Sequence, residues 1–195
     1  MNLKIKNILL IAIFIISSIT NAQKTNADIY LKNGKMISGL IKITGDQLKL
    51  FKENGSKGEI ILKKTLDKII IHKESYDKYL YSILVEKSAK YAEYKLLEKV
   101  ISGKTTLYKN EMRSLGLSTV HTGGMNFEDD SSDKYFVIRD GEKFAKFIGY
   151  NGIIKNKALK YFADCDNFLV KMKDKKFRKQ KPELIIHYYN ENCLK

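Results

Sequence analysis

Short runs of β-branched and aromatic residues alternate with turn signals through residues 28–147. Asn-Gly and Asp-Gly pairs tolerate the positive φ angles of two-residue hairpin turns. The pattern predicts a meander of short antiparallel strands. A sheet of this size protects its edges by closing into a barrel or by packing on a helix. The five turn signals are Asn33-Gly34, Gly45-Asp46, Asn54-Gly55, Gly103 and Asp140-Gly141.

Residues 74–100 carry two competing patterns. Four apolar or aromatic positions recur at helical spacing, whereas residues 79–85 have the composition of a strand. We expect strands in both parts, and we interpret the aromatic positions as core rather than as a ligand cage. The positions at helical spacing are Tyr91, Tyr94, Leu97 and Val100.

The stretch from Tyr30 to Gly39, YLKNGKMISG, resembles the opening of small Sm-like and SH3-like barrels. In those barrels a hairpin turn is followed five residues later by a glycine at which the strand bends. Gly39 suits that position because it has no Cβ to clash with a neighbour. The resemblance implies a barrel-like shape and carries no function with it.

The periodicity becomes helical near the C-terminus. Residues 157–162 predict a short helix, and Asp164 with the three residues after it offers N-capping side chains for a longer one. That longer helix has an apolar face over residues 168–172. Pro182 suits the first turn of a further helix. We therefore predict an antiparallel helical hairpin.

The two cysteines lie at the ends of this hairpin. Cys165 precedes the first long helix and Cys193 follows the second, so an antiparallel arrangement places them side by side. We predict a Cys165–Cys193 disulfide, which the chain-entropy model values at about 3–4 kcal/mol for this separation. The alternative is two independent buried thiols. No Cys-x-x-Cys pair points to thiol-redox chemistry.

Residues 1–22 have the layout of a secretory signal peptide. Two lysines precede a nine-residue apolar run, and small residues stand at the −3 and −1 positions before Gln23. Nine apolar residues are about half of the roughly 20 that a bilayer span takes, so a permanent transmembrane anchor is the weaker alternative. We expect a periplasmic or secreted protein without a transmembrane span after cleavage. The predicted units are a signal peptide (1–22), a β-rich body (23–150) and a helical C-terminal segment (151–195).

The formal net charge of the chain is +14. Its basic residues are 33 lysines and only 3 arginines, and arginine is the residue that recognises phosphates and guanines bidentately. Export also removes the chain from intracellular polyanions. We therefore expect no nucleic-acid partner.

Residues 109–134 predict a long acidic loop, and loops of this length are uncommon unless functional or disordered. His121 lies beside a Gly-Gly pair near Ser118, but residues 116–120 lack the second glycine of a nucleophile elbow. Asp129-x-Ser131-x-Asp133 begins like a calcium loop, yet Lys134 replaces the glycine of the sixth position. We assign no catalytic residue, no metal ligand and no cofactor. A hydrolase using residues 116–133 remains the enzymatic alternative.

Residues 171–181, KMKDKKFRKQK, form the strongest charge feature, called the basic segment below. It holds seven basic residues and one acidic residue, a net charge of +6. One interpretation is a solvated turn between helices. The functional one is a binding site for anionic lipid, lipopolysaccharide or acidic glycan, with an apolar contact from Phe177. The candidate anion-binding residues are Lys171, Lys173, Lys175, Lys176, Arg178, Lys179 and Lys181.

Three features together resemble a widespread family of exported, uncharacterised Bacteroidota proteins. They are a leader ending in Asn-Ala-Gln, the segment LEKVISGKTTLY over residues 97–108, and Tyr161-Phe162-Ala163-Asp164-Cys165. Members often carry proline after the cysteine, where this chain has Asp166. The resemblance implies a β-rich body with a C-terminal helical segment and brings no activity with it.

The sequence thus predicts an α+β protein, with an antiparallel β-rich, barrel-like body followed by a C-terminal helical hairpin. We expect a non-enzymatic binding or envelope-structural module whose basic segment contacts anionic envelope material. A partner subunit of an envelope protein complex is a further alternative, which a contiguous exposed apolar patch would favour.

Overall fold

A computed structural model describes residues 24–44, 47–88, 90–110 and 133–193 of the protein. Within these ranges, eleven strands form one sheet in which all neighbouring strands are antiparallel. They are β1 (Thr25–Leu31), β2 (Met36–Thr44), β3 (Gln47–Phe51), β4 (Glu59–Ile61), β5 (Leu66–His72), β6 (Asp77–Ser88), β7 (Tyr91–Ile101), β8 (Thr105–Asn110), β9 (Lys134–Arg139), β10 (Lys146–Tyr150) and β11 (Ile153–Ile154).

Within the described residues, every helical element except a short 3-10 turn between β4 and β5 follows the last strand. In chain order the helical elements are η1 (Lys63–Thr65), η2 (Asn156–Phe162), α1 (Asp166–Lys171), α2 (Lys175–Arg178) and α3 (Pro182–Asn192), of which η1 and η2 are 3-10 helices. The predicted α+β class, with an antiparallel sheet followed by helices, is confirmed.

The longest hairpin of the sheet resolves the ambiguity of residues 74–100. β6 and β7 pair from Leu80↔Glu98 to Ser88↔Tyr91, so both parts are strands, as expected. The positions at helical spacing do not share one buried face. Leu97 is buried, whereas Tyr91 is 57% exposed at the end of the hairpin.

Side chains of β6 and β7 alternate between two separate cores, because successive residues of a strand point to opposite faces. Leu80 and Leu96 pack with residues of β1, β2, β3 and β5. Their neighbours Tyr81 and Leu97 pack on the other face, with residues of β8 and β9. This central hairpin therefore joins the two halves of the sheet.

Each half curls around its own core, but the sheet is not closed. In the first half, the Ser82 hydroxyl of β6 donates to the Lys63 carbonyl of η1 at 2.6 Å. In the second half, the Ala145 N–H donates to the Leu84 carbonyl at 2.9 Å, returning the chain to β6. The strand order β11-β10-β9-β8-β7-β6-β5-β1-β2-β3-β4 still ends in two edge strands, β11 and β4.

Three predicted turn glycines have the backbone that the turns require. Gly34, Gly55 and Gly141 adopt φ angles of +83°, +96° and +83°. Gly39 lies inside β2 at a close approach to β3. A Cβ at that position would lie 2.8 Å from Leu50 Cδ1 and 2.9 Å from the Phe51 carbonyl oxygen.

The helical segment differs from the predicted hairpin in its first arm. α1 ends at Lys171, and a separate helix, α2, begins after Asp174, whose carboxylate accepts the Lys176 N–H at 2.8 Å. Residues 166–178 therefore form two short helices, and not the single longer helix that the apolar face over residues 168–172 predicted. Of the predicted capping residues 164–167, Cys165 occupies the N-cap position of α1, but its side chain makes no capping hydrogen bond.

The helices cover one face of the second half of the sheet. Leu107, Val137 and Ile148 of the sheet pack against Phe162 and Tyr189 of the helices, and all five are fully buried. Pro182 occupies the first turn of α3, as predicted. The C-terminal segment is therefore packed onto the body through an apolar core.

Several predicted features lie outside the described residues. These are the signal peptide at 1–22 and most of the loop at 109–134, of which β8 and β9 contain the two ends. Ser118 and His121, the residues of the hydrolase alternative, also lie outside the described residues. Among the helices that the structure does describe, none has the length and apolar character to cross a bilayer.

Candidate anion-binding surface

The basic segment is anchored by two buried apolar side chains. Phe177 of α2 is 6% exposed, and its ring centroid lies 5.2 Å from that of Tyr188 on α3. Met172 is 3% exposed in the same core. Phe177 therefore points into the protein, so the predicted apolar contact from Phe177 to a ligand is wrong.

The cations of the basic segment all face solvent. The exposed basic residues are Lys171, Lys173, Lys175, Lys176, Arg178, Lys179 and Lys181.

Nothing in the described parts of the chain neutralises these seven charges. The single acid of the segment, Asp174, caps α2 through its bond to the Lys176 N–H, and no described carboxylate forms an ion pair with any of the seven. Lys171 places its Nζ 5.5 Å from the centre of the Phe177 ring. Seven like charges within eleven residues repel one another, and a bound anion would relieve that repulsion.

A disulfide holds the opposite end of the hairpin. Cys165 and Cys193 are joined, with Cα atoms 5.5 Å apart, a separation typical of disulfides. The cross-link ties the start of α1 to the residue after α3. The predicted pairing is confirmed, and it leaves the basic segment at the far end of the two helices.

A polar network attaches the same helices to the sheet. Arg139, the last residue of β9, donates through Nη2 to the Asp164 carboxylate at 2.7 Å and to the Tyr161 carbonyl. The Tyr189 hydroxyl of α3 donates to Asp164 at 2.9 Å. The Tyr161 hydroxyl donates to Glu142, in the β9–β10 connection. Burial and these carboxylates raise the pKa of both tyrosines.

The motif Tyr161-Phe162-Ala163-Asp164-Cys165 therefore has a structural explanation. Tyr161 and Asp164 bind the polar network, Phe162 is fully buried in the apolar core, and Cys165 forms the disulfide. Three of its five residues attach the helical segment to the body, and Cys165 cross-links α1 to the end of α3. The motif therefore holds the helical segment, and with it the basic segment, in place.

A second polar cluster joins four strands, β1, β2, β5 and β6, through Asp28, Ser38, His72 and Asp77. His72 of β5 lies between two carboxylates, with Nδ1 2.8 Å from Asp77 Oδ1 and Nε2 3.2 Å from Asp28 Oδ2. The Ser38 hydroxyl donates to Asp28 at 2.6 Å. The bond to Asp77 is the main reason that the pKa of His72 is raised, and the bond from Ser38 is the main reason that the pKa of Asp28 is lowered.

This cluster does not have the geometry of a catalytic triad. A nucleophilic serine must donate to an imidazole nitrogen, but Ser38 donates to a carboxylate and both nitrogens of His72 face carboxylates. The sequence offered no signal for it, because Asp28 and His72 are 44 residues apart and meet only through the pairing of β1 with β5.

The first half of the sheet also bears an exposed apolar groove. Ile60 is 52% exposed, Leu62 55% and Tyr91 57%, and all three line one open depression between the β4–η1 region and β7. β4 is an edge strand, so its outer edge has no strand partner in the described sheet. Such a surface is a candidate protein contact.

Most of the calcium-loop pattern at residues 129–133 lies outside the described residues. Asp133 is its one described member, and its carboxylate pairs with Lys109 Nζ at 3.1 Å. Across the described residues, no group of three histidine, cysteine or acidic side chains could hold a metal ion.

Comparisons with protein-family models, with curated proteins and with solved structures find no match to this chain.

Proposed function

We propose that the protein is an exported, non-enzymatic binding or envelope-structural module whose basic segment binds anionic envelope material. The ligand class comprises phosphate and carboxylate groups of lipids, lipopolysaccharide or acidic glycans. One observation carries the proposal: seven exposed cations within residues 171–181 have no described ion-pair partner.

Two further features support export to the periplasm or the exterior of the cell. A leader typical of secretion occupies residues 1–22. The Cys165–Cys193 disulfide fits an oxidising compartment such as the periplasm or the exterior of the cell. A protein delivered there meets anionic lipids and glycans rather than nucleic acids.

The chemistry of binding follows from the kind of cation present. Lysine is a compact charge on a flexible stem, which attracts anions without demanding a fixed geometry. Binding should therefore be broad among anionic surfaces and should weaken as salt shortens the Debye length, about 8 Å at physiological ionic strength. Each lysine near an anionic membrane surface contributes about 1 kcal/mol.

The test compares two variants of the protein purified from expressing cells, with its N-terminus determined by mass spectrometry. One variant replaces four lysines of the basic segment with glutamine, and the other replaces four exposed lysines of the sheet region. Both lose the same charge. The first set is Lys173, Lys175, Lys176 and Lys179, and the control set is Lys35, Lys52, Lys57 and Lys64.

The variant of the basic segment should bind polyphosphate, lipopolysaccharide and anionic vesicles about 100-fold to 1000-fold more weakly than the parent. The control set should change binding by less than about tenfold, because its charges are dispersed. Equal losses in the two variants would show that net charge alone drives binding. No salt-sensitive binding by the parent would refute the proposal.

A second candidate function is supported by the apolar groove at Ile60, Leu62 and Tyr91. A partner subunit of an envelope complex needs such an exposed contact, and the edge strand β4 beside it offers unpaired backbone groups. Leu62→Asp should abolish co-purification of an envelope protein with the chain. If Leu62→Asp still co-purifies with that partner, the groove is not the contact. If only the variant of the basic segment loses the partner, the contact lies at the basic segment.

A further inference from the structure

The basic segment lies at the free end of the helical hairpin. The disulfide joins Cys165 at the start of α1 to Cys193 just after α3, so the connection between the helices lies at the other end. Val170 is in the last turn of α1 and Leu184 is in the first turn of α3. Both residues therefore lie beside the cations.

These two apolar side chains are exposed at the end of the hairpin that carries the basic segment. Val170 is 64% exposed and Leu184 is 53% exposed. Val170 and Tyr188 line the same open groove between α1 and α3. Leu184 precedes Tyr188 by four residues and shares its helix face. These three side chains form a narrow apolar strip, and the other residues that line the groove are polar or charged: Asn167, Lys171, Asp174, Glu191 and Asn192.

The charges around this strip are arranged unevenly. Lys171 and Asp174 line the groove near the basic segment, and the Asp174 carboxylate is already bound to a backbone N–H. Glu191 lines the other end of the groove and pairs with His187 at 3.2 Å. Glu191 is two helical turns from Leu184, about 10 Å along the axis. Glu183, beside Leu184, and Asp174 are the acidic residues within residues 170–184, against the seven cations of the basic segment. Positive charge therefore predominates where the apolar side chains are exposed.

We infer that this end of the hairpin docks on an anionic lipid bilayer, with Val170 and Leu184 entering the headgroup region. The inference rests on the proposed function and selects a membrane surface from its ligand class. A soluble polyanion gains nothing from two exposed apolar side chains, whereas a bilayer accommodates cations and apolar groups together. The lysine stems lie along the interface while their ammonium groups stay with the phosphates.

The chain contains no tryptophan, so Leu184→Trp introduces a single fluorescent reporter. With vesicles of phosphatidylcholine and phosphatidylglycerol, its emission should shift to the blue and should be quenched by brominated acyl chains. Met36→Trp is the matched control, because Met36 is as exposed as Leu184, 53% each, and lies in β2 in the first half of the sheet. The control should show neither effect. An unshifted, unquenched emission from Leu184→Trp would overturn the inference.

A double variant tests the same inference by affinity. Val170→Ser with Leu184→Ser should weaken vesicle binding about fivefold to thirtyfold, from the apolar area that no longer enters the membrane. Polyphosphate binding should stay unchanged. Met36→Ser with Tyr76→Ser removes similarly exposed apolar and aromatic side chains from the first half of the sheet, 53% and 58%, and should leave both affinities unchanged.

The two proposals fail in different ways. If the double-serine variant binds vesicles as tightly as the parent, the membrane inference is wrong, even when the lysine variant has lost polyphosphate and vesicle binding alike. If the parent binds neither polyphosphate nor vesicles, the proposed function and the membrane inference are both wrong.

Discussion

Arg139 and Asp164 form an ion pair, Nη2 to Oδ1 at 2.7 Å, across the boundary between the sheet and the helical segment. Arg139 ends β9, whereas Asp164 directly precedes the disulfide cysteine. The Tyr189 hydroxyl of α3 binds the same carboxylate. One carboxylate therefore links the last turn before α1, the end of β9 and the middle of α3.

Asp164→Asn should destabilise the protein by about 1–2 kcal/mol, because it weakens two hydrogen bonds that involve charged or buried groups. Urea unfolding measures this free energy. Asp166→Asn is the matched control, since Asp166 is exposed and makes no described side-chain bond. Equal destabilisation by the two substitutions would contradict a special role for Asp164.

The His72 cluster predicts a pH dependence of stability. The pKa of His72 is raised by its bonds to Asp77 and Asp28, so the folded protein holds the imidazole proton more tightly than the unfolded chain does. The stabilisation is complete below about pH 6.5, the unfolded value, and is lost as the pH rises through the higher folded value. NMR titration of His72 should show a midpoint above 6.5.

Asp77→Asn removes the larger cause of the His72 shift and should lower that midpoint. His72→Gln should flatten the stability profile on the alkaline side of pH 6.5. Because His72 also helps to lower the pKa of Asp28, the variant should lose less stability than the parent on acidification. An unchanged His72 midpoint in Asp77→Asn would show that the bond to Asp77 does not set the proton affinity.

Removing the disulfide, as Cys165→Ser with Cys193→Ser, should lower the free energy of unfolding by about 3–4 kcal/mol, the value for closing a loop of this length. Denaturant unfolding of oxidised and reduced protein measures the same difference. Without reductant, an alkylating reagent should add no mass to the parent. Two freely alkylated thiols would contradict the cross-link.

Gly39→Ala should destabilise the first half of the sheet by about 1–3 kcal/mol, because the new Cβ would lie 2.9 Å from the Phe51 carbonyl oxygen. The carbonyl belongs to the paired strand β3 and cannot turn away without breaking that pairing. Hydrogen exchange should show faster exchange at the β2–β3 amides than at the amides of β9 and β10. Parent-like exchange would show that the strands have room for a methyl group.

Local patterns predicted the elements that depend on local chemistry. Gly34, Gly55 and Gly141 mark turns because only their backbone angles matter, and Pro182 starts α3 because its fixed φ suits a first helical turn. The cysteine pairing followed from the antiparallel order of two helices. These predictions needed no knowledge of distant residues.

Features that depend on tertiary contacts could not be predicted in this way. Asp164 resembles a helix cap, but Arg139 lies close enough to bind its carboxylate instead. Phe177 resembles an exposed side chain within a charged run, but the cap at Asp174 starts a short helix that turns it toward Tyr188. The seven exposed cations were identified from the sequence, whereas the apolar side chains beside them became visible only in the folded hairpin.

Amine footprinting in the presence of anionic vesicles tests the central claim most directly, because it reports each lysine separately. Acetylation followed by mass spectrometry compares the lysines of the basic segment with the control set Lys35, Lys52, Lys57 and Lys64. We expect vesicles to protect Lys173, Lys175, Lys176 and Lys179 strongly, with high salt reversing the effect, and to leave the control set reactive. Equal protection of both sets, or protection of neither, would contradict the assignment of anion binding to residues 171–181.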